Sequence, residues 1–189
     1  GTAGVSATGD VVLLDQNSDT TDIASISFTS VLTSDYGVYV FKCYNMNPAT
    51  DGAHFGFQMS DDGGSSYGII MTSAQGPYAY HKEDDSQAGM AYNPSYDQAQ
   101  VTTYQQMVAT IGNDAHQSCA GELYLFNPSG TTYAKQYTSR FSNLYDPDGP
   151  FAEQHFSAGY FNTTSALNAI QFKMSAGNMD GLIKVWGIK

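Results

Sequence analysis

The sequence predicts an all-β protein, a two-sheet antiparallel β-sandwich of jelly-roll or concanavalin-like type. Three observations lead there. Short aromatic or β-branched segments recur along the whole chain, with Asp, Asn, Gly, Ser and Pro between them. Several of these segments alternate apolar and polar residues, so each buries one face and wets the other. Such one-sided strands need a covering layer, which a second packed sheet supplies. At 189 residues, with no composition break and no repeat of fixed period, the chain reads as one domain spanning 1–189.

Ten segments read as strands: 10–16, 23–29, 36–45, 53–60, 67–73, 121–128, 131–137, 154–161, 168–175 and 182–188. In the second, Ile26 and Phe28 oppose Ser25 and Ser27. In the fourth, Phe55, Phe57 and Met59 oppose His54, Gly56 and Gln58, and in the ninth Ile170, Phe172 and Met174 oppose Gln171 and Lys173. In the last, Ile183 and Val185 point to the core while Lys184 and Trp186 take the other face. The stretch "YDQAQVTTYQQMVATIG", 96–112, fits a helix through Val101, Tyr104 and Val108, and fits a strand through its β-branched residues. "SDDGGSSY", 60–67, couples paired glycines to residues that bond local amides, which predicts a hairpin over 53–72. "SAGNMDG" predicts a second hairpin over 168–188, with the last strand paired to its predecessor.

The formal net charge of −11, 18 acidic against 7 basic residues, and the lack of any Lys/Arg cluster along the sequence disfavour nucleic acid. No apolar run approaches a membrane span, so no membrane insertion is expected. Cys43 and Cys119 read as buried free thiols or as a disulfide pair. No G-x-S-x-G, H-E-x-x-H, P-loop or G-x-G-x-x-G pattern is present, so no catalytic residue and no cofactor is assigned. His54 and His155 read as outward strand residues and His116 as a loop residue. "SDDGG", "KEDD" and "DPDG" are rich in oxygen ligands but lack the EF-hand spacing, and they define no metal site.

The segment "QGPYAYHKEDDSQAGMAYNPSYDQ", 75–98, is the candidate ligand or subunit-contact surface. Tyr78, Tyr80, His81, Tyr92, Asn93 and Tyr96 combine rigid apolar faces with polar tips, which suits stacking on sugar rings or packing in a protein interface. The chain holds 14 tyrosines, more than one small core calls for, and aromatic residues favour interfaces.

Residues 24–67, "ASISFTSVLTSDYGVYVFKCYNMNPATDGAHFGFQMSDDGGSSY", resemble a module that recurs in tail-fibre and other virion-associated proteins of bacteriophages and prophages. The likeness lies in the strand Ala24 to Phe28, the Tyr-rich strand Tyr36 to Tyr44, the link Pro48 to Asp51 and the Asp-Gly-Gly turn within Ser60 to Tyr67. "GELYLFNPS" at 121–129 and "NAIQFKMSAGNMDGLIKVWGIK" at the end continue it, with Trp186 where that family usually has Tyr. The resemblance implies a non-enzymatic structural protein at the virion surface or tail. It would be a fibre, tail or capsid-decoration component, contacting other virion proteins and forming a homo-oligomer such as a trimer. The alternative it leaves open is a receptor-binding module for a host-surface glycan.

Overall fold

The computed structural model describes residues 10–145 and 150–189. The fourteen strands among these are β1 (Val11–Gln16), β2 (Ile26–Phe28), β3 (Val38–Pro48), β4 (Ala53–Ser60), β5 (Met71–Gln75), β6 (Tyr78–Lys82), β7 (Ala88–Ala91), β8 (Gln98–Val101), β9 (Gln105–Ile111), β10 (Cys119–Phe126), β11 (Lys135–Tyr145), β12 (Phe151–Phe161), β13 (Ala169–Met174) and β14 (Met179–Ile188). A 3-10 turn at Pro94–Tyr96 precedes β8. Beyond Tyr96, which closes that turn, the 96–112 stretch carries β8 and β9, and its helical stripe is not used. β-branched Val101 and Val108, on β8 and β9, are more crowded at χ1 in a helix and pack well on a pleated strand.

Two antiparallel sheets pack face to face as a β-sandwich. The larger has ten strands, in the order β1-β14-β3-β10-β11-β12-β5-β8, with β6 also on β12 and β7 outside β6. The smaller has the order β2-β13-β4-β9. Between them, Phe172 of β13 meets the rings of Phe41, Phe55, Phe57 and Phe28 at centroid distances of 5.4, 6.0, 6.2 and 6.5 Å. Such contacts add to the stabilisation from burial itself. The alternation in β2 and β13 is as expected: Ile26, Phe28, Ile170, Phe172 and Met174 are all in the core.

Both expected hairpins are overturned. β4 lies in the small sheet and β5 in the large one, and the same holds for β13 and β14. Each intervening loop carries the chain across the sandwich. The Asp-Gly-Gly turn does form: Gly63 and Gly64 have φ of 76° and 87°, and Asp62 accepts from Ser60 Oγ, Ser66 N and Ser66 Oγ at 2.6, 2.9 and 2.6 Å. Six more irregular residues then lead to Met71 in the opposite layer. Turn chemistry reverses the chain without choosing the sheet it joins.

The last strand does not pair with its predecessor. β14 is inserted between β1 and β3, with Trp186 opposite Leu13 on one side and Val40 on the other. Ile183 and Val185 are buried as expected. Gln58, expected at a wet face, is fully buried because 69–70 and 102–103 fold over it. Its amide nitrogen donates to the carbonyls of Ile69, Thr102 and Thr103 at 3.2, 3.0 and 3.1 Å.

Candidate functional site

The structure does not bring the six candidate residues of 75–98 together. Tyr78 and Tyr80 lie on β6 and turn inward: Tyr78 stacks on His155 at 5.6 Å, and Tyr80 meets Phe151 edge-on at 6.1 Å. Burial, then the nearby Glu153 charge, raises the Tyr78 phenol above its ordinary pKa. His81, next to Tyr80 in sequence, faces the opposite side of the sheet, with Nε2 3.1 Å from Asp85 Oδ1. Tyr92 is exposed, and its hydroxyl donates to Asp97, a bond that raises its pKa. Asn93 caps the 3-10 turn by accepting from Ser95 N at 3.1 Å, and the Tyr96 carbonyl accepts from Gln105 Nε2 at 3.2 Å. Three of the six thus close the sandwich or shape a turn, Tyr92 and His81 are in solvent, and Tyr96 is half-buried beside His54.

Behind Tyr78 lies a buried polar chain that the sequence reading missed. His155, expected to point outward, is 1% exposed, while its neighbour Phe156 faces solvent. The strand is inverted relative to its polarity: Glu153, His155 and Ser157 of β12 point in, and Ala152, Phe156 and Ala158 point out. Glu153 Oε2 sits 3.3 Å from His155 Nε2 and accepts from Asn143 Nδ2 at 3.3 Å, while Gln75 Nε2 is 3.5 Å from His155 Nδ1. Ser139 and Ser157 share a hydrogen bond of 2.6 Å, and Ser73 Oγ donates to Gln105 Oε1.

The reason for this polarity is the edge of the small sheet. Among the described residues β9 pairs only with β4, so its other side presents backbone carbonyls without strand partners to the inner face of the large sheet. Asn143 Nδ2 donates to the Ala109 carbonyl and Gln75 Nε2 to the Met107 carbonyl, both at 3.4 Å. Buried backbone acceptors require such partners. Glu153 and His155 are thus held in a buried network with Asn143 and Gln75, in which Gln75 Oε1 and Asn143 Oδ1 have no partner among the described residues.

The outer face of the ten-stranded sheet is the surface with ligand-binding character. Cross-strand register lines up Lys184 of β14, Lys42 of β3, Glu122 of β10, Arg140 of β11 and Phe156 of β12 in one row. Lys42 lies over the Trp186 ring at 5.7 Å and Arg140 over Phe156 at 5.4 Å. Sequence reading found no basic cluster because these residues are scattered over some 140 positions, and only strand register assembles them. An open groove of about 480 Å³ runs beside the middle of the row and is lined by Lys42, Tyr44, Glu122, Arg140, Ser142 and Gln154. A second depression shares Ala120 and Ser142 with it and reaches His81 and Glu83.

One step along the strands toward Ile188 the same face turns apolar. Val11, Val40, Tyr124, Trp186 and Ile188 line a shallow depression of about 180 Å³ that also reaches Lys42, and Leu13 and Phe126 flank it on the same face. Val11 and Leu13, on the edge strand β1, are 57% and 49% exposed.

Cys43 and Cys119 are buried free thiols on adjacent strands, and burial pushes both well above the ordinary thiol pKa. Among the described residues no three His, Cys, Asp or Glu side chains converge as metal ligands. "SDDGG" forms the turn described above, the acidic residues of "KEDD" are exposed beside the β6–β7 turn, and "DPDG" lies outside the described residues. The chain matches no family model, no curated protein and no solved structure.

Proposed function

We propose that the chain is a non-enzymatic structural module of a bacteriophage or prophage particle. It would be a fibre, tail or capsid-decoration component that works in an assembly with copies of itself or with other virion proteins. The observation that carries the reading is the apolar corner of the large sheet, where Val11, Leu13, Tyr124, Phe126 and Trp186 share one outer face beside the edge of β1, unpaired among the described residues. Aromatic and aliphatic residues grouped on a protein surface mark interaction sites, and the cores of interfaces are enriched in aromatics. The resemblance of 24–67, 121–129 and 168–189 to virion modules supports the same reading, as does the burial of Glu153 and His155, the latter beneath Tyr78.

Sedimentation velocity over a wide concentration range tests it. The expected result is an oligomer that Leu13→Asp dissociates to monomers while changing stability by only about 0.5 kcal/mol, as for an exposed side chain. A chain that stays monomeric at the highest concentration and is absent from purified particles would overturn the proposal.

A further inference from the structure

We infer that the groove along Lys42, Glu122 and Arg140, with Lys184 next in the same row, is a binding site for a linear acidic polysaccharide whose charges are carboxylates. Three of the 7 basic residues of a chain with net charge −11 stand in this one row. Among the described residues none of the three makes an ion pair, although Glu122 is opposite both Lys42 and Arg140 in register. The cationic heads are therefore free for an outside anion, in a protein whose own surface offers many carboxylates.

The occupant follows from what surrounds these cations. The row crosses the strands, and neighbouring strands lie about 4.8 Å apart. That spacing is of the order of one pyranose unit, so successive side chains address successive residues of an extended sugar chain. β3, β10, β11 and β12 are each paired on both sides, so a peptide cannot add to this face as a strand and only side chains are on offer. Those side chains suit a saccharide: the half-exposed rings of Tyr44 and Phe156 supply faces for sugar C–H groups, and Glu122, Ser142 and Gln154 supply acceptors and donors for hydroxyls. Tyr44 owes its place to a bulge in β3, where Gly121 pairs with Cys43 but Cys119 pairs with Met46, and Asn45 takes φ of 51°. Bulges commonly re-aim a side chain in this way. Two cations in the groove, Lys42 and Arg140, with Lys184 beside them and Glu122 as the one carboxylate, make a sparse density that matches isolated carboxylates on a sugar chain and not a densely sulfated one. The volume, about 480 Å³, is in the range of small-ligand sites.

The protein carries its own reporter, since its single tryptophan, Trp186, lies beneath Lys42. The test titrates the chain at physiological salt, in the presence of EDTA, with oligoguluronate and oligogalacturonate, and in parallel with neutral dextran, dextran sulfate and poly-glutamate. Trp186 emission and calorimetry are followed together. At least one oligouronate is expected to bind and shift the emission, with dextran and poly-glutamate much weaker. Lys42→Gln and Arg140→Gln are each expected to weaken binding about tenfold, the loss of one charged hydrogen bond. Arg140→Lys is expected to recover part of it, and Lys173→Gln, on the other sheet, to change nothing. Unaltered melting temperatures in the exposed Lys42 and Arg140 variants separate lost binding from lost fold. Failure of both oligouronates to bind would overturn the inference, as would uronate binding indifferent to Lys42 and Arg140. Equal or tighter binding of poly-glutamate or dextran sulfate would replace it with a general polyanion surface. Leu13→Asp is predicted to leave uronate binding intact, so this result and that for the assembly are read independently.

Discussion

The inner face of the ten-stranded sheet has two halves built on opposite chemistry. Over the small sheet it is a ring cluster, in which Phe41, Phe141, Tyr137 and Phe161 pack on Phe28, Phe55, Phe57 and Phe172. Beyond β9 it is polar, with Gln75, Asn143, Glu153, His155 and Ser157 pointing inward and equally buried. The two halves solve different problems. A sheet covered by another sheet needs only apolar area, since all backbone groups are paired within the layers. A sheet facing the open edge of another must supply hydrogen-bond partners to that edge, and Asn143 and Gln75 do so for Ala109 and Met107. Burial alone therefore does not decide which residue type sits inside.

The comparison is broken most severely in the ring half. Phe172→Ala removes the ring that four others touch and is expected to cost about 3–5 kcal/mol, measured by urea unfolding. A loss below about 1 kcal/mol would mean that the cluster relaxes freely and is no packed core. In the polar half, Asn143→Leu keeps the volume and removes the donor, leaving the Ala109 carbonyl and Glu153 short of a partner. The expected loss is about 1–3 kcal/mol. A neutral or stabilising result would show that the edge of β9 needs no side-chain partner, and the contrast between the halves would collapse.

Tyrosines of the covering segment sharpen it. Tyr78→Ala and Tyr80→Ala, which uncover His155 and Phe151, are expected to lower stability by about 1–2 kcal/mol, and Tyr92→Ala by no more than about 0.5 kcal/mol. Equal effects at all three would remove the distinction between closing and exposed tyrosines. The smallest effect is electrostatic. Hydrogen bonds from Ser60 and Ser66 hold the Asp62 carboxyl well below the ordinary value of 3.8. A depressed carboxylate stabilises the fold above its unfolded pKa and loses that contribution as pH falls through the folded one. The melting temperature of the protein should therefore exceed that of Asp62→Asn by a small, constant margin near neutral pH, and the margin should shrink below about pH 4.

The sandwich class was legible because alternation at Ile26 and Phe28, and at Ile170, Phe172 and Met174, reports a buried face whatever the partner strand is. Partner choice was not legible. The glycines of 63–64 fix a turn, but which layer Met71 joins depends on contacts far away in sequence. His155 was misread because polarity is a poor guide to direction on a strand that serves an edge. The basic row was out of reach for a related reason: Lys42, Arg140 and Lys184 become neighbours only through the registers of β14, β3, β10 and β11. Tyr78, Tyr80 and His81 were read as one ligand or subunit-contact surface, but period 2 places the two tyrosines on the side of the sheet away from His81.

The insertion of β14 between β1 and β3 has a consequence for synthesis. β1 and β3 have no shared neighbour until residues 179–188 follow them, so the ten-stranded sheet cannot close before those residues have been made. Pairings so distant in sequence make folding slow, because loop-closure entropy is spent before any contact repays it. During that interval β3, with Val38, Tyr39, Val40 and Phe41 in a row, is an unprotected edge that another nascent chain can capture. Expression at low temperature, or with a trigger-factor-type chaperone in excess, is therefore expected to raise the soluble yield more than any surface substitution, measured as the soluble fraction after a pulse of synthesis.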